Sequence, residues 1–252
     1  MPLASLHALR VVSGIRRGSS YPVVVETASG SFLVKLRGAA QGIPPLIAEL
    51  IVAELATALS LPVPERALIT LDEDVPSLDR NDELEVVLAN SHGMNLGFRF
   101  LARATDLAAR DVAGLDPEWA ARVLWLDGLV MNPDRTARNP NVLLWQRRPW
   151  LVDHGAALSF QYDWSSVTEQ SPREPGFDVQ AHLLFASSAR MRQSDAELTA
   201  ILKRDVLSSA VAAVPADFLQ AAFPNADPER LRAAYAAFLW KRLKAPRPFV
   251  EA

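Results

Sequence analysis

The stretch Leu126–Phe160, LDGLVMNPDRTARNPNVLLWQRRPWLVDHGAALSF, decides how this chain is read. It opens as a helix end and runs into the polar loop D-R-T-A-R-N, bracketed by Asp134 and Asn139. N-V-L-L-W follows as a short apolar strand, Q-R-R-P as a basic turn, and W-L-V as the returning strand. Asp153 comes directly after that strand, with His154 and Gly155 behind it. A tight hairpin therefore brings Asp153 back beside Asn139. One carboxylate and one amide on adjacent backbones make an all-oxygen site. Such a site suits Mg²⁺ held by few protein ligands and by phosphate oxygens. Asp134, five residues before Asn139, is placed to orient or deprotonate a hydroxyl.

Those residue types in that order are the parts of a phosphoryl-transfer site: a base, an amide and a carboxylate for metal. The loop D-R-x-x-x-N, the run N-P-N-x-L-L and the step V-D-H-G resemble the short members of the HipA-like kinases. That family is a bacterial branch of the protein-kinase-like fold. The resemblance implies an α+β, two-lobe fold, with a small antiparallel-sheet N-terminal lobe carrying one helix and a mainly helical C-terminal lobe. It implies ATP and Mg²⁺ as cofactors, Asp134 as catalytic residue, and Asn139 and Asp153 as metal ligands. Any one of the three pieces alone is a weak signal, since Asn-Pro also marks ordinary turns.

Upstream, Leu6 to Leu36 reads as three strands, with A-S-G as a hairpin signal between YPVVVET and SFLVKLR. Between the first two lies SGIRRGSS. The kinase resemblance makes this the loop over the ATP phosphates, with Ser19 and Ser20 offered to phosphate oxygens. The family also modifies a serine in this loop, which would make Ser13, Ser19 and Ser20 candidates for self-phosphorylation. A plain solvated turn fits the same residues. The chain has 26 basic residues, and only four are lysine; Lys35 is the only lysine before residue 203. It interrupts the strand F-L-V-K-L. A chain so dominated by arginine that keeps one lysine in a strand points to a need for a compact ammonium. The other reading is an edge-strand lysine facing water.

Pro44 and Pro45 open a helix with Leu46, Ile47, Leu50, Ile51, Leu55 and Leu59 at helical spacing. Glu49 and Glu54 both lie on it. Each residue turns the helix by about 100 degrees, so the two cannot face the same way. In the family pattern an acid early in this helix pairs with the strand lysine, which selects Glu49 beside Lys35 in the catalytic set. Residues 72–95 are polar and acidic and read as a variable loop with a possible strand at Leu84–Leu88. LGFRFLAR reads as the last strand of the first lobe. The resemblance puts the adenine-binding hinge after it, at Phe100 and Leu101. The domain boundary is expected at residue 104, giving lobes 1–104 and 105–252.

In the second lobe, D-P-E-W marks a helix start at Asp116, with Trp119, Val123, Leu126, Leu129 and Val130 as its buried face. Asp127 on that helix reads as structural. After Asp153, residues 161–180 read as a polar, structureless segment where kinases carry an activation or substrate loop. The rest reads as helical scaffold, with Ser194 and Asp227 as helix starts. Four scattered histidines argue against a histidine metal site.

The 252 residues are half apolar, with a formal net charge of −3 and no cysteine. Disulfides and thiolate chemistry are excluded, and nothing suggests direct nucleic-acid binding. The chain shows no membrane-length apolar run and no extended apolar leader, so a cytoplasmic protein is expected. The functional expectation is a HipA-like serine/threonine kinase acting on an unknown phosphoacceptor. A non-catalytic nucleotide- or partner-binding module and a small-molecule kinase are the alternatives. Full-length HipA toxins carry an extra N-terminal subdomain, so toxin action and an antitoxin partner are not carried over.

Overall fold

The first strands are β1 (Ala4–His7), β2 (Arg10–Gly14), β3 (Val23–Thr27) and β4 (Gly30–Lys35), four where the sequence suggests three. The division falls at Ala8 and Leu9, whose consecutive N–H groups part company. Ala8 donates to the carbonyl of Thr70 and Leu9 to that of Glu26, at 2.9 and 2.8 Å. The computed structural model describes residues 3–15, 21–176 and 178–251. The chain divides into two compact units, Met1–Leu46 with Pro64–Ala102, and Ile47–Val63 with Arg103–Ala252.

Helix α1 (Pro44–Ala58) crosses between the two stretches of sequence, its first turn counted with the first unit and the rest with the second. In the first unit β5 (Arg66–Leu71) and β6 (Gly93–Arg99) complete a six-stranded sheet of order β1-β5-β6-β4-β3-β2. Neighbours are antiparallel except β1 and β5, which run parallel. β1 and β2 therefore stand at opposite edges although only two residues join them. A flat six-stranded sheet would hold its edges about 24 Å apart at the usual strand spacing. The three-step link from His7 to Arg10 spans about 11 Å at most. The sheet must curl until its edges approach. Val11, Val25, Phe32, Val34, Ala67, Ile69 and Leu71 fill the apolar core.

Residues 82–89, expected as loop or strand, form helix α2 (Asp82–Ala89). Asn81 caps it by accepting from the N–H of Leu84 at 3.0 Å. Asp82, Glu83 and Glu85 place negative charge at its positive end. Leu84, read as the start of a strand, is the residue that buries against the sheet. The cap and the charges outweigh the β-branched pair Val86–Val87.

The second unit is built on helix α3 (Pro117–Val130), after a short strand β7 (Thr105–Asp106). Asp116 caps α3 through the N–H of Glu118, and every residue from Val123 to Val130 is buried. β7 pairs with the hairpin β8 (Val142–Trp145) and β9 (Arg148–Leu151). Helices α4 (Ser188–Ile201), α5 (Arg204–Ala212), α6 (Ala216–Ala222), α7 (Pro228–Leu243) and α8 (Pro248–Glu251) complete the unit. α4, α7 and α8 all pack on α3. Asp227 caps α7 as expected. Ser194 caps nothing; it lies inside α4, whose first residue is Ser188, and the break comes later at Leu202–Lys203.

Nor is the segment 161–180 structureless in its described residues: Ser159–Tyr162, Trp164–Ser166, Ser171–Arg173 and Val179–Ala181 form short 3-10 turns. Its aromatic side chains supply the reason: Phe160 stacks on Phe238 at 3.8 Å between ring centres, and Trp164 meets Tyr235 edge-on at 5.0 Å. Gln161 accepts from the buried Tyr235 hydroxyl at 2.8 Å.

Candidate active site

The candidate loop begins where α3 is stopped. Met131 takes a left-handed conformation with φ of 54°, and the N–H of Asn132 returns to the carbonyl of Asp127 at 2.9 Å. Asn132 then works with both ends of its amide. Its Nδ2 donates to Asp127 Oδ1 at 2.9 Å, and its Oδ1 accepts from the N–H of Asp134 at 3.2 Å. The backbone at Asp134 is thereby tied to the end of a buried helix.

Asp134 and Asn139 are in direct contact. Asn139 Nδ2 donates to Asp134 Oδ2 at 2.8 Å, and Asn141 Nδ2 donates to the same oxygen at 3.2 Å. Thr136 and Asn139 close the loop tip reciprocally: Thr136 N–H to Asn139 carbonyl at 3.0 Å, Asn139 N–H to Thr136 Oγ1 at 3.2 Å. Two free oxygens result. Asp134 Oδ1 and Asn139 Oδ1 accept no hydrogen bond among the described residues. An amide must turn its NH₂ toward a carboxylate, so the orientation of Asn139 is fixed by Asp134.

The hairpin carries Asp153 back toward this loop. Val142 faces Leu151 in the β8–β9 register, and the N–H of Val152 donates to the carbonyl of Asn141 at 3.1 Å. The turn is made by Gln146 and Arg147, both at positive φ (49° and 62°). That is the demand of a two-residue hairpin turn, met here without glycine or asparagine. Asp153 itself sits at φ of 57°. Aspartate tolerates this region better than most residues, and such conformations gather at functional sites.

Beneath the loop lies a buried ionic centre. Arg135 Nε donates to Asp127 Oδ2 at 2.6 Å, with neither side chain exposed to solvent. The same guanidinium donates to the carbonyls of Pro140 and Asn141 and to His154 Nδ1, the last at 3.3 Å. It therefore holds both ends of the loop and the residue after Asp153. His182 adds a second donor, its Nε2 lying 3.0 Å from Asp127 Oδ2. Burial by itself would push the Asp127 carboxyl up. The Arg135 guanidinium and the His182 bond outweigh it and hold the carboxyl well below the usual range.

A second buried arginine, Arg242 on α7, braces the segment after the hairpin. Its donors reach the carbonyls of Gly128 and Leu129, in the last turn of α3, and those of Pro172, Glu174 and Pro175. A cation at the negative end of α3 is favourable. Burial pulls this guanidinium down to about 10, with the Glu174 carboxylate opposing. It remains charged near neutrality.

The other expected site residues are placed as follows. Lys35 ends β4, an interior strand between β3 and β6, and is 7% exposed, so the edge-strand reading fails. Glu49 is fully buried on α1, in the second unit. Phe100 is 38% exposed and its N–H donates to the Ser31 carbonyl at 3.0 Å; Leu101 is buried. Ser19 and Ser20 lie outside the described residues. Among the described residues no group of three or more His, Asp or Glu side chains is gathered for a metal.

Sequence reasoning missed His182 and Arg242 and gave Asp127 no partners. The available signal was a lone polar residue in an apolar run: Asp127 in LWLDGLV and His182 in AHLLF.

The family model described as HipA-like kinase matches residues 9–242. Among solved structures, the Helicobacter pylori proinflammatory kinase CtkA is similar, with a TM-score of 0.62 and 8% identity over 99% of this chain and 97% of that one. At that identity the likeness is one of fold, a sheet-bearing unit and a helical unit of protein-kinase type. No functionally curated protein matches the sequence. No helix among the described residues is long and apolar enough to cross a membrane.

Proposed function

The chain belongs to the HipA-like kinase family, and from that footing we propose that it transfers the γ-phosphoryl group of ATP to an alcohol hydroxyl, of serine/threonine type, with Mg²⁺. The observation that carries the reading is the arrangement at Asp134. One carboxylate oxygen is held by two amides, and the other accepts no hydrogen bond among the described residues.

Asp134 Oδ1 would receive the hydroxyl of the acceptor and take its proton as the new bond to phosphorus forms. The two amides on Oδ2 keep the carboxylate from rotating away, so positioning costs little at the moment of reaction. Asn139 Oδ1 and the Asp153 carboxylate would hold the cation. These donors are all oxygen, and the chain has no cysteine, which fits a hard divalent ion. When bound, the metal and nucleotide supply the transferable group and the positive charge that offsets its oxygens. Lys35 would hold phosphate oxygens and Glu49 would orient it, while Phe100 and Leu101 would meet the adenine.

Incubation of the protein with γ-labelled ATP and Mg²⁺, alone and with host lysate, tests the proposal. Label on this chain or on a lysate component is the expected result. The absence of any transfer, together with no rise in melting temperature at millimolar Mg²⁺-ATP, would overturn it.

A further inference from the structure

His182 lies 28 residues beyond His154 in sequence, outside every motif of the site, yet the fold seats it directly under the loop. Its side chain is 1% exposed. Nδ1 accepts from the N–H of Leu184 at 3.1 Å, so the ring proton resides on Nε2, which donates to Asp127 Oδ2 at 3.0 Å. The backbone is engaged as well. His182 forms an isolated antiparallel bridge with Thr136, and the N–H of Leu183 donates to the carbonyl of Arg135 at 2.9 Å.

These contacts lead to the reacting groups by short routes. Arg135 follows Asp134 in the chain. Thr136 closes the loop tip on Asn139 through two hydrogen bonds. Asp127, which His182 and Arg135 share, holds Asn132, and Asn132 holds the N–H of Asp134. Two of the ties that fix Asp134 and Asn139, the one through Asp127 and Asn132 and the one through Thr136, thus begin at residues His182 contacts.

We infer that His182 is a positioning residue for phosphoryl transfer: it seats the segment 178–184 against the Asp127–Arg135 pair, and the loop from Asp134 to Asn139 keeps its reactive geometry only while that segment is seated. The inference rests on the kinase reading proposed above. It makes the far end of the segment after Asp153 a working part of the site rather than scaffold. Anything that unseats residues 178–184 would then lower turnover without touching nucleotide.

The test compares His182→Leu and His182→Gln with the unaltered protein. Leu removes both ring bonds; Gln keeps a donor near the position of Nε2 and so can rescue. Transfer from Mg²⁺-ATP, KM for ATP and melting temperature are measured for each, at temperatures where each is folded. His182→Leu is expected to lower kcat at least tenfold with KM for ATP changed less than twofold, and His182→Gln to recover a large part of the loss. Amide exchange should quicken at residues 134–139 and not along α3. Should His182→Leu prove unfolded, Thr136→Val, which removes only the Oγ1 acceptor of the loop tip, together with His182→Gln carries the same comparison. A kcat within twofold of the unaltered protein, or kcat and ATP binding falling together with folded fraction, overturns the role. Transfer that is absent from the unaltered protein itself overturns the kinase reading and this role with it.

Discussion

Arg135 and Asp127 form an ion pair at 2.6 Å in which neither side chain meets solvent. Asp134, the proposed base, is the residue before that arginine. The loop that carries the proposed chemistry is thus mounted on a charge pair that the fold has removed from water.

Removing one partner of such a pair leaves the other charged and buried, which typically costs about 3–5 kcal/mol. Asp127→Asn is expected to fall in that range and to lower the melting temperature by roughly 6–20 °C for a chain of this size. Arg135→Lys should lose nearly as much, because a single ammonium cannot serve Asp127, two carbonyls and His154 together. Thermal and denaturant unfolding of the two variants check this.

The same pair sets a pH dependence. The Asp127 carboxyl is held below its ordinary value of 3.8. Its contribution is therefore complete above that value and is lost as pH falls toward the lower folded one. The stability gap between the unaltered protein and Asp127→Asn should be constant from pH 6 to 8 and narrow below about pH 4. Equilibrium unfolding across that range reads it directly.

Asp134→Asn and Asp153→Asn should separate base from metal ligand. Asp134→Asn is expected to lower transfer by about 10²–10⁴, the usual worth of a positioned base, with the Mg²⁺-ATP melting shift nearly intact. Asp153→Asn should diminish both transfer and melting shift, since it removes a charged ligand. Full transfer activity in both variants would place the chemistry elsewhere.

Gly128 lies in the last turn of α3 where Phe249 approaches. A Cβ there would meet Phe249 Cδ2 at 2.7 Å and Cβ at 2.9 Å. Alanine normally favours a helix over glycine by about 1 kcal/mol. Here overpacking, at about 1–3 kcal/mol, should win, and Gly128→Ala should melt lower. Adding Phe249→Leu should recover part of the loss, measured as a non-additive double-variant cycle.

Arg242→Met should loosen the segment it braces. Five backbone carbonyls lose their buried donors at once. Limited proteolysis is expected to cut within residues 161–180 at a rate well above that of the unaltered protein, before the helices are cut. Unchanged cleavage would mean that the aromatic contacts of Phe160 and Trp164, with the Arg173 bonds to the carbonyls of Lys244 and Pro246 and the Lys241–Glu169 ion pair, hold the segment without Arg242.

Much of this molecule is legible in its sequence because the signals are local. Proline and aspartate mark the starts of α1, α3 and α7; turn residues mark the hairpins; the D-R-x-x-x-N loop and V-D-H-G step mark the family and put Asp134, Asn139 and Asp153 in order. Caps, periodicity and turns act within a few residues, so their rules can be read along the chain. Where local signals compete the reading fails: Leu84–Leu88 looks like a strand until the Asn81 cap and its acidic first turn are weighed. What only the tertiary structure decided is how the loop is held. His182 meets Asp127 across 55 residues and Arg242 meets Gly128 across 114. Nothing near a buried charge in sequence names its partner, because the demand that it be paired arises only when folding removes water from both.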